Sequence, residues 1–215
     1  MRFQAVLFDF DGTLVDSEAL HYQSWMQVLA PLGVSYTEQA FCHEFSGIPT
    51  LEAANILKQR HQLAPSAASL CDDKNAHFVA VVSEVAPTLM PFAQTVVEQS
   101  AKQMPIALVT GSSRAEAIPA LVSHDLLPLF DVVICKDDVE QPKPHPEPYL
   151  QALAQLGVAA SQAVAIEDSH TGLQSAKSAG LCAVAIPNSH SQVQDLSIAD
   201  QQFNNLAAFY QWLRN

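Results

Sequence analysis

The chain has 215 residues, 49% of them hydrophobic and 15% charged, with a net charge of −12. That composition supports a sizeable buried core and excludes a disordered chain. Its sign argues against nucleic acid or an anionic membrane surface as partner.

An apolar run from Phe3 to Phe8, broken only by Gln4, predicts a short buried strand. It ends on Asp9-Phe10-Asp11-Gly12-Thr13. A carboxylate at the end of a buried strand is costly unless its charge is compensated. A bound cation would do that, and would leave Asp9 able to attack phosphorus. Gly12 permits a turn, and Thr13 offers a hydroxyl and a backbone N–H to an anion. A turn in which both aspartates merely satisfy backbone N–H groups is the alternative.

Residues 19–32 carry Leu20, Trp25, Val28 and Leu29 at helical spacing, with Asp16 or Ser17 as cap and Pro31 and Gly33 at the end. Residues 41–45 and 50–61 also read helical, separated by Ser46-Gly47-Ile48-Pro49, and a longer helix is expected over about 66–85. Residues 16–87 thus form an all-helical block with no alternating strand pattern. From Pro91 the texture changes. Helices are predicted over 92–103, 114–123, 146–156, 170–179 and 206–213, with Pro119 as a blemish in the second. Strands are predicted over 106–109, 132–135, 163–166 and 182–186. Such alternation implies an α/β fold, a parallel sheet covered by helices on both faces, into which the first strand fits. The helical block is then an insertion, leaving 1–15 and 88–215 as the core.

Cys42, Cys71, Cys135 and Cys182 are widely spaced with no C-x-x-C pair, and read as buried thiols of a reducing compartment. No apolar run reaches the length of a membrane span, and the first strand begins within a few residues of Met1. A cytoplasmic protein without a signal peptide is expected, as a monomer or small homo-oligomer.

In a parallel sheet, ligands gather beyond the carboxyl ends of the strands. The polar signals fall there. One strand runs into Thr110-Gly111-Ser112-Ser113, a phosphate cradle or a set of helix caps. The next leads to Lys136 and then to Gln141-Pro142-Lys143-Pro144, whose prolines fix the direction of Lys143. A third ends in Glu167-Asp168-Ser169, two acids that either cap a helix or bind a hard cation. The tight turn at Lys143 predicts a cis Lys143–Pro144 bond.

Asp9 and Asp11, Thr110, Lys143 and Glu167-Asp168 stand in the order of the four motifs of the haloacid dehalogenase superfamily, which begins D-x-D-G-T. The chain resembles that superfamily over nearly its whole length. Receiver domains also combine aspartates, Thr and Lys, but their phosphorylated Asp follows a later strand and no helical insertion follows the first. The resemblance implies a Rossmann-like core in which Asp9 is the nucleophile and Asp11 the acid/base. It also implies Mg2+ on Asp9, the Asp11 carbonyl and Asp168, with Glu167 as ligand or partner. Thr110 and Lys143 would bind phosphoryl oxygens, with Gly12, Thr13, Gly111 and Ser112 around them. An aspartate at position 11 favours phosphoryl transfer over dehalogenation.

The helical block resembles the type-1 cap of the β-phosphoglucomutase-like and sugar-phosphate phosphatase branch. Asp16-Ser17-Glu18 and His21 match D-[ST]-x-x-x-H, Ser46-Gly47-Ile48-Pro49-Thr50 matches its specificity loop, and Lys74 matches a lysine directed at substrate. Thr50 stands where the mutase pattern has arginine, and the cap's other cations are only Lys58, Arg60 and Lys74. A second phosphate would want more. The expectation is therefore a phosphatase of a small phosphorylated metabolite, ahead of an isomerase of the mutase type or a non-catalytic binder. Pro91-Phe92 replaces a usual Pro-Gly, while His170-Thr171-Gly172 keeps the family's glycine.

Overall fold

A computed structural model, which describes residues 3–215, places the opening apolar run in strand β1 (Ala5–Phe8). The other strands are β2 (Val15–Asp16), β3 (Thr88–Leu89), β4 (Ile106–Val109), β5 (Val132–Ile134), β6 (Ala163–Glu167), β7 (Cys182–Ala185) and β8 (Gln201–Gln202). Six of them form one sheet in the order β5-β4-β1-β6-β7-β8, with every pairing parallel. β1 lies between β4 and β6, so Asp9 leaves the sheet with a strand end on either side.

Alternation along β1 divides the core. Val6 and Phe8 face a cluster containing Val96, Leu121 and Phe209, whereas Ala5 and Leu7 face Tyr149, Leu153 and Leu173. The first face is therefore covered by α5 (Ala93–Ala101), α6 (Arg114–Ser123) and α9 (Leu206–Arg214). The second is covered by α7 (Glu147–Leu156) and α8 (His170–Ser178). This is the parallel sheet with helices on both faces expected from the alternating texture, and the Rossmann-like core that the resemblance implied. Pro119 sits on the exposed side of α6, which runs through it.

Between β2 and β3 lie α1 (Glu18–Leu29), α2 (Glu38–Phe45), α3 (Thr50–His61) and α4 (Ala67–Glu84). They share a core of their own around Trp25, Leu29, Phe41, Phe45, Leu57 and Leu70. At the base of this bundle, Leu20, Phe78 and Val82 join the cluster on the first sheet face. The all-helical expectation for 16–87 needs one correction. Val15 and Asp16 pair antiparallel with Leu89 and Thr88, forming a two-stranded ribbon where the chain leaves the core and returns. Two residues per strand are too few to show periodicity. β8 was not expected either, because its two exposed glutamines carry no apolar signal.

The Lys143–Pro144 bond is cis. Phe92, standing where a glycine was expected, adopts the left-handed conformation itself, with φ +69°. Cys42, Cys71 and Cys135 are buried free thiols, but Cys182 is half-buried, at the start of a strand near the sheet edge. Among the described residues no helix is long and apolar enough to cross a membrane.

Candidate active site

Asp9 follows β1 directly, its backbone N–H still bonded to Ile166 O of β6 at 3.0 Å, so its side chain emerges at the strand ends. Its Oδ1 accepts from Lys143 Nζ at 2.7 Å. Lys143 also donates to Val109 O at 2.8 Å and to Glu167 Oε1 at 2.6 Å. Three partners use all three ammonium hydrogens. Lys143 therefore orients Asp9 and Glu167 as well as supplying charge to the pocket it lines. Burial disfavours its charge, but Asp9 and Glu167 more than restore it and push its pKa up.

Glu167 is fully buried and also accepts from Tyr149 Oη at 2.7 Å. Gly172 explains itself here, since a Cβ at that position would lie 1.9 Å from Glu167 Oε2. The α8 helix can pass this carboxylate only without a side chain. Asp168 Oδ2 accepts from Asn188 Nδ2 at 2.7 Å, and the same amide reaches Gly12 O at 3.0 Å. Asn188 is fixed in turn by accepting from the N–H groups of His190 and Ser191. Gly12, at φ +76°, has no room for a Cβ, which would meet Asp168 Oδ2 at 2.3 Å.

Asp9, Glu167 and Asp168 offer carboxylate oxygens within 4.8 Å of one another, all three residues buried. Burial, then the Glu167 charge, lifts Asp9 to about 7 against the opposing pull of Lys143. Burial, then Asp9, raises Asp168 well above the usual carboxylate range. A hard divalent cation with oxygen ligands would remove this strain, so the donor set fits Mg2+. Of these three, Asp9 and Asp168 line the pocket, whereas Glu167 lies behind it with its Oε1 bonded to Lys143 and Tyr149.

Asp11 is held differently. Its Oδ1 accepts from Ser17 Oγ at 2.5 Å and its Oδ2 from Ser112 Oγ at 2.6 Å, with His21 Nε2 3.8 Å from Oδ1. Burial pushes its pKa up, but His21, Ser112 and Ser17 together outweigh that and bring it to about 2. At neutral pH the carboxyl is therefore an anion. His21 stacks on Phe78 with ring centroids 4.0 Å apart, and its Nδ1 lies 2.9 Å from Lys74 Nζ. Lys74 is 1% exposed, with its Nζ 4.5 Å from the Phe78 centroid. The lysine expected to reach substrate is thus tied to His21, which stands between it and Asp11.

Other expected contacts also move. The N–H groups of Gly12 and Thr13 bond to Val15 O and Phe10 O, so neither is aimed at an anion. Thr13 Oγ1 is buried with no hydrogen-bond partner among the described residues. Thr110 lies beneath the pocket wall at 1% exposure, its Oγ1 accepting from Ser112 N–H at 2.9 Å, while Gly111 and Ser112 form the wall itself. Thr50 and Gly47 line the pocket from the helical side. Gly47, at φ +76°, faces Gln194, whose amide donates to Ser46 O at 3.3 Å. The cleft between the strand ends and the helices that precede β3 is about 230 Å³, which suits a small metabolite.

Sequence reasoning missed three contributors. Ser17 was assigned to helix capping, yet it makes no side-chain cap bond and serves Asp11 instead; the D-[ST]-x-x-x-H pattern contained that signal. Asn188 follows a strand end after a proline, the kind of place where site residues gather. Tyr149 occupies an ordinary buried position of α7 and gave no signal.

Residues 6–186 match the family model for haloacid dehalogenase-like hydrolases. The chain is 32% identical to a phosphorylated carbohydrates phosphatase of Thermotoga maritima, covering 83% of this chain and 82% of that protein. It is also 32% identical to the fructose-1-phosphate phosphatase YqaB of Escherichia coli, covering 86% and 97%. Among solved structures, a variant of CbbY from Rhodobacter sphaeroides in complex with xylulose-1,5-bisphosphate superposes with a TM-score of 0.82. It shares 27% identity, and the match covers 95% of both chains.

Proposed function

The chain belongs to the haloacid dehalogenase-like hydrolase family and is a phosphoric monoester hydrolase; from that premise we propose that it hydrolyses a small sugar phosphate through an aspartyl-phosphate on Asp9, with Mg2+ as cofactor. The observation that carries this reading is the pairing of two differently held aspartates. Asp9 is anchored by Lys143 at the end of β1, and Asp11 is kept ionised by Ser17, Ser112 and His21.

In the reaction, a carboxylate oxygen of Asp9 attacks phosphorus in line and the ester P–O bond breaks, leaving the sugar alkoxide and an acyl phosphate. Asp11 gives that oxygen a proton, then removes one from the water that cleaves the intermediate. In the free protein Asp11 has no proton to give at neutral pH, so the first role requires the substrate's own negative charge to raise its pKa on binding. Lys143 holds Asp9 against rotation, while Ser112 and Gly111 border the transferring group. Asp9 and Asp168, with the Asp11 carbonyl, would hold Mg2+, and Glu167 would steady Lys143 behind them. The ion would neutralise charge developing on the phosphoryl oxygens.

Residues 16–87 serve in this reading as a cap that closes the site from water and selects the substrate, over a core of 1–15 and 88–215. Phosphatase relatives of one-third identity support hydrolysis as the outcome. An isomerase of the mutase type would return a phosphorylated isomer instead of free phosphate.

Asp9→Asn is expected to lose at least a thousandfold in phosphate release while folding as stably as the parent, since it removes a buried charge. Rates on a panel of sugar phosphates, together with melting curves, check this; normal turnover in the variant would sink the nucleophile assignment. EDTA is expected to abolish release and added Mg2+ to restore it.

A further inference from the structure

The rim of the pocket comes from two separate elements. On one side stand Ser46 to Thr50, where the chain turns from α2 into α3, and on the other Ser169, Thr171 and Gly172 at the start of α8. One side chain joins them from outside. Gln194, in the loop between β7 and β8, accepts at Oε1 from the His170 N–H at 2.9 Å and donates from Nε2 to Ser46 O at 3.3 Å. A carboxamide can do this in one orientation only, because its oxygen must meet the N–H and its NH2 the carbonyl.

Each half of the bridge answers a need. The His170 N–H lies in the first turn of α8, where the helix itself supplies no acceptor. On the other side the approach is close enough to fix a residue type, since a Cβ on Gly47 would lie 2.7 Å from Gln194 Nε2. Among the described residues no other hydrogen bond joins 46–50 to anything beyond β3. The loop that carries Gln194 is itself well anchored. The Gln194 N–H bonds to Ser191 O at 2.9 Å, Ser191 Oγ accepts from the Asn188 N–H at 3.0 Å, and Asn188 holds Asp168 and Gly12. Beyond it, Asp195 O lies 2.7 Å from His170 Nδ1, and Leu196 is buried in the core on the second sheet face.

We propose that Gln194 is a positioning residue for the reaction: it clasps the 46–50 turn against α8 and so sets the height of the pocket's outer wall above Asp9. The inference rests on the reading of residues 16–87 as a cap, and names what keeps that cap in register with the site. A sugar phosphate, whose leaving group extends to the turn, depends on the clasp. Acetyl phosphate, whose leaving group ends short of it, does not.

The test uses Gln194→Met, Gln194→Glu and Gln192→Glu beside the wild type. Methionine keeps the length and loses both bonds. Glutamate still accepts from the His170 N–H, at a helix N-terminus that favours negative charge, but offers Ser46 O no donor. Gln192→Glu adds the same charge to the same loop at an exposed side chain bonded only to Ser189 O. Hydrogen exchange at the amides of 46–48 is expected to quicken about fivefold in both Gln194 variants. kcat/KM for fructose 1-phosphate should fall about fivefold in both, while that for acetyl phosphate is unchanged, a split that a merely structural defect would not produce. Gln192→Glu should match the wild type in every measurement. Unchanged exchange in either Gln194 variant, an equal loss on both substrates, no loss on fructose 1-phosphate, or the same effects in Gln192→Glu would each overturn the proposal. If neither compound is hydrolysed by the wild type, the phosphatase reading fails on its own. Exchange in the four proteins then decides the clasp: faster in the two Gln194 variants alone upholds it, and any other pattern refutes it.

Discussion

Lys74 shows how one buried charge links stability to chemistry. Burial holds its pKa below the ordinary 10.5, so the folded protein binds this proton more weakly than the unfolded chain does. Its charge therefore weakens the fold at neutral pH, and the penalty disappears as pH rises through 10.5. Lys74→Met is expected to be as stable as the parent or about 1 kcal/mol more stable at pH 7. That advantage should shrink toward pH 10, and phosphate release should fall severalfold because His21 loses its partner. Denaturant midpoints at the two pH values, with rates at pH 7, check both halves; a variant clearly less stable at pH 7 would mean that the His21 and Phe78 contacts outweigh burial. At this scale the sequence was legible where chemistry requires a particular atom. Asp9, Asp11 and Asp168, just past the ends of β1 and β6, and Lys143, in the loop between β5 and α7, all line one cavity. It was illegible where a residue acts through another. Ser17 looks like any helix-capping serine and Tyr149 like any core aromatic, because their partners lie 6 and 18 positions away.

Elements were legible in proportion to their apolar pattern. β4, α3 and α6 have the expected limits because hydrophobic period and turn residues agree there. The ribbon of β2 and β3 escaped notice because it has backbone pairing without periodicity, and β8 because it is polar. The entry to α5 gives a test at this level. Phe92 holds φ +69° and is 54% exposed as a residue, so it bears the cost of a left-handed backbone while burying little. Phe92→Gly should relieve that cost and raise the melting temperature by about 2 °C, with turnover unchanged. A lower melting temperature would show that the ring's packing matters more than the backbone.

At the scale of the molecule, the change from helical to alternating texture near Pro91 coincides with the change from the four helices between β2 and β3 to the alternating helices and strands of the sheet, since a parallel sheet needs crossovers between its strands. How the two meet was not legible, because Leu20, Phe78 and Val82 look like further bundle residues until they are seen against the sheet. The ribbon carries a consequence for descent as well as for packing. Asp16 and Thr88 pair directly, so the chain leaves and re-enters the core one strand spacing apart. Such an attachment works like a socket: another helical segment with equally close ends could be inherited in this place without rethreading the sheet. Replacing residues 17–87 with the corresponding segment of a relative is expected to carry that relative's substrate preference along, measured as the order of rates across a sugar-phosphate panel. The bond-breaking apparatus would remain with its host, and novelty would enter through the graft.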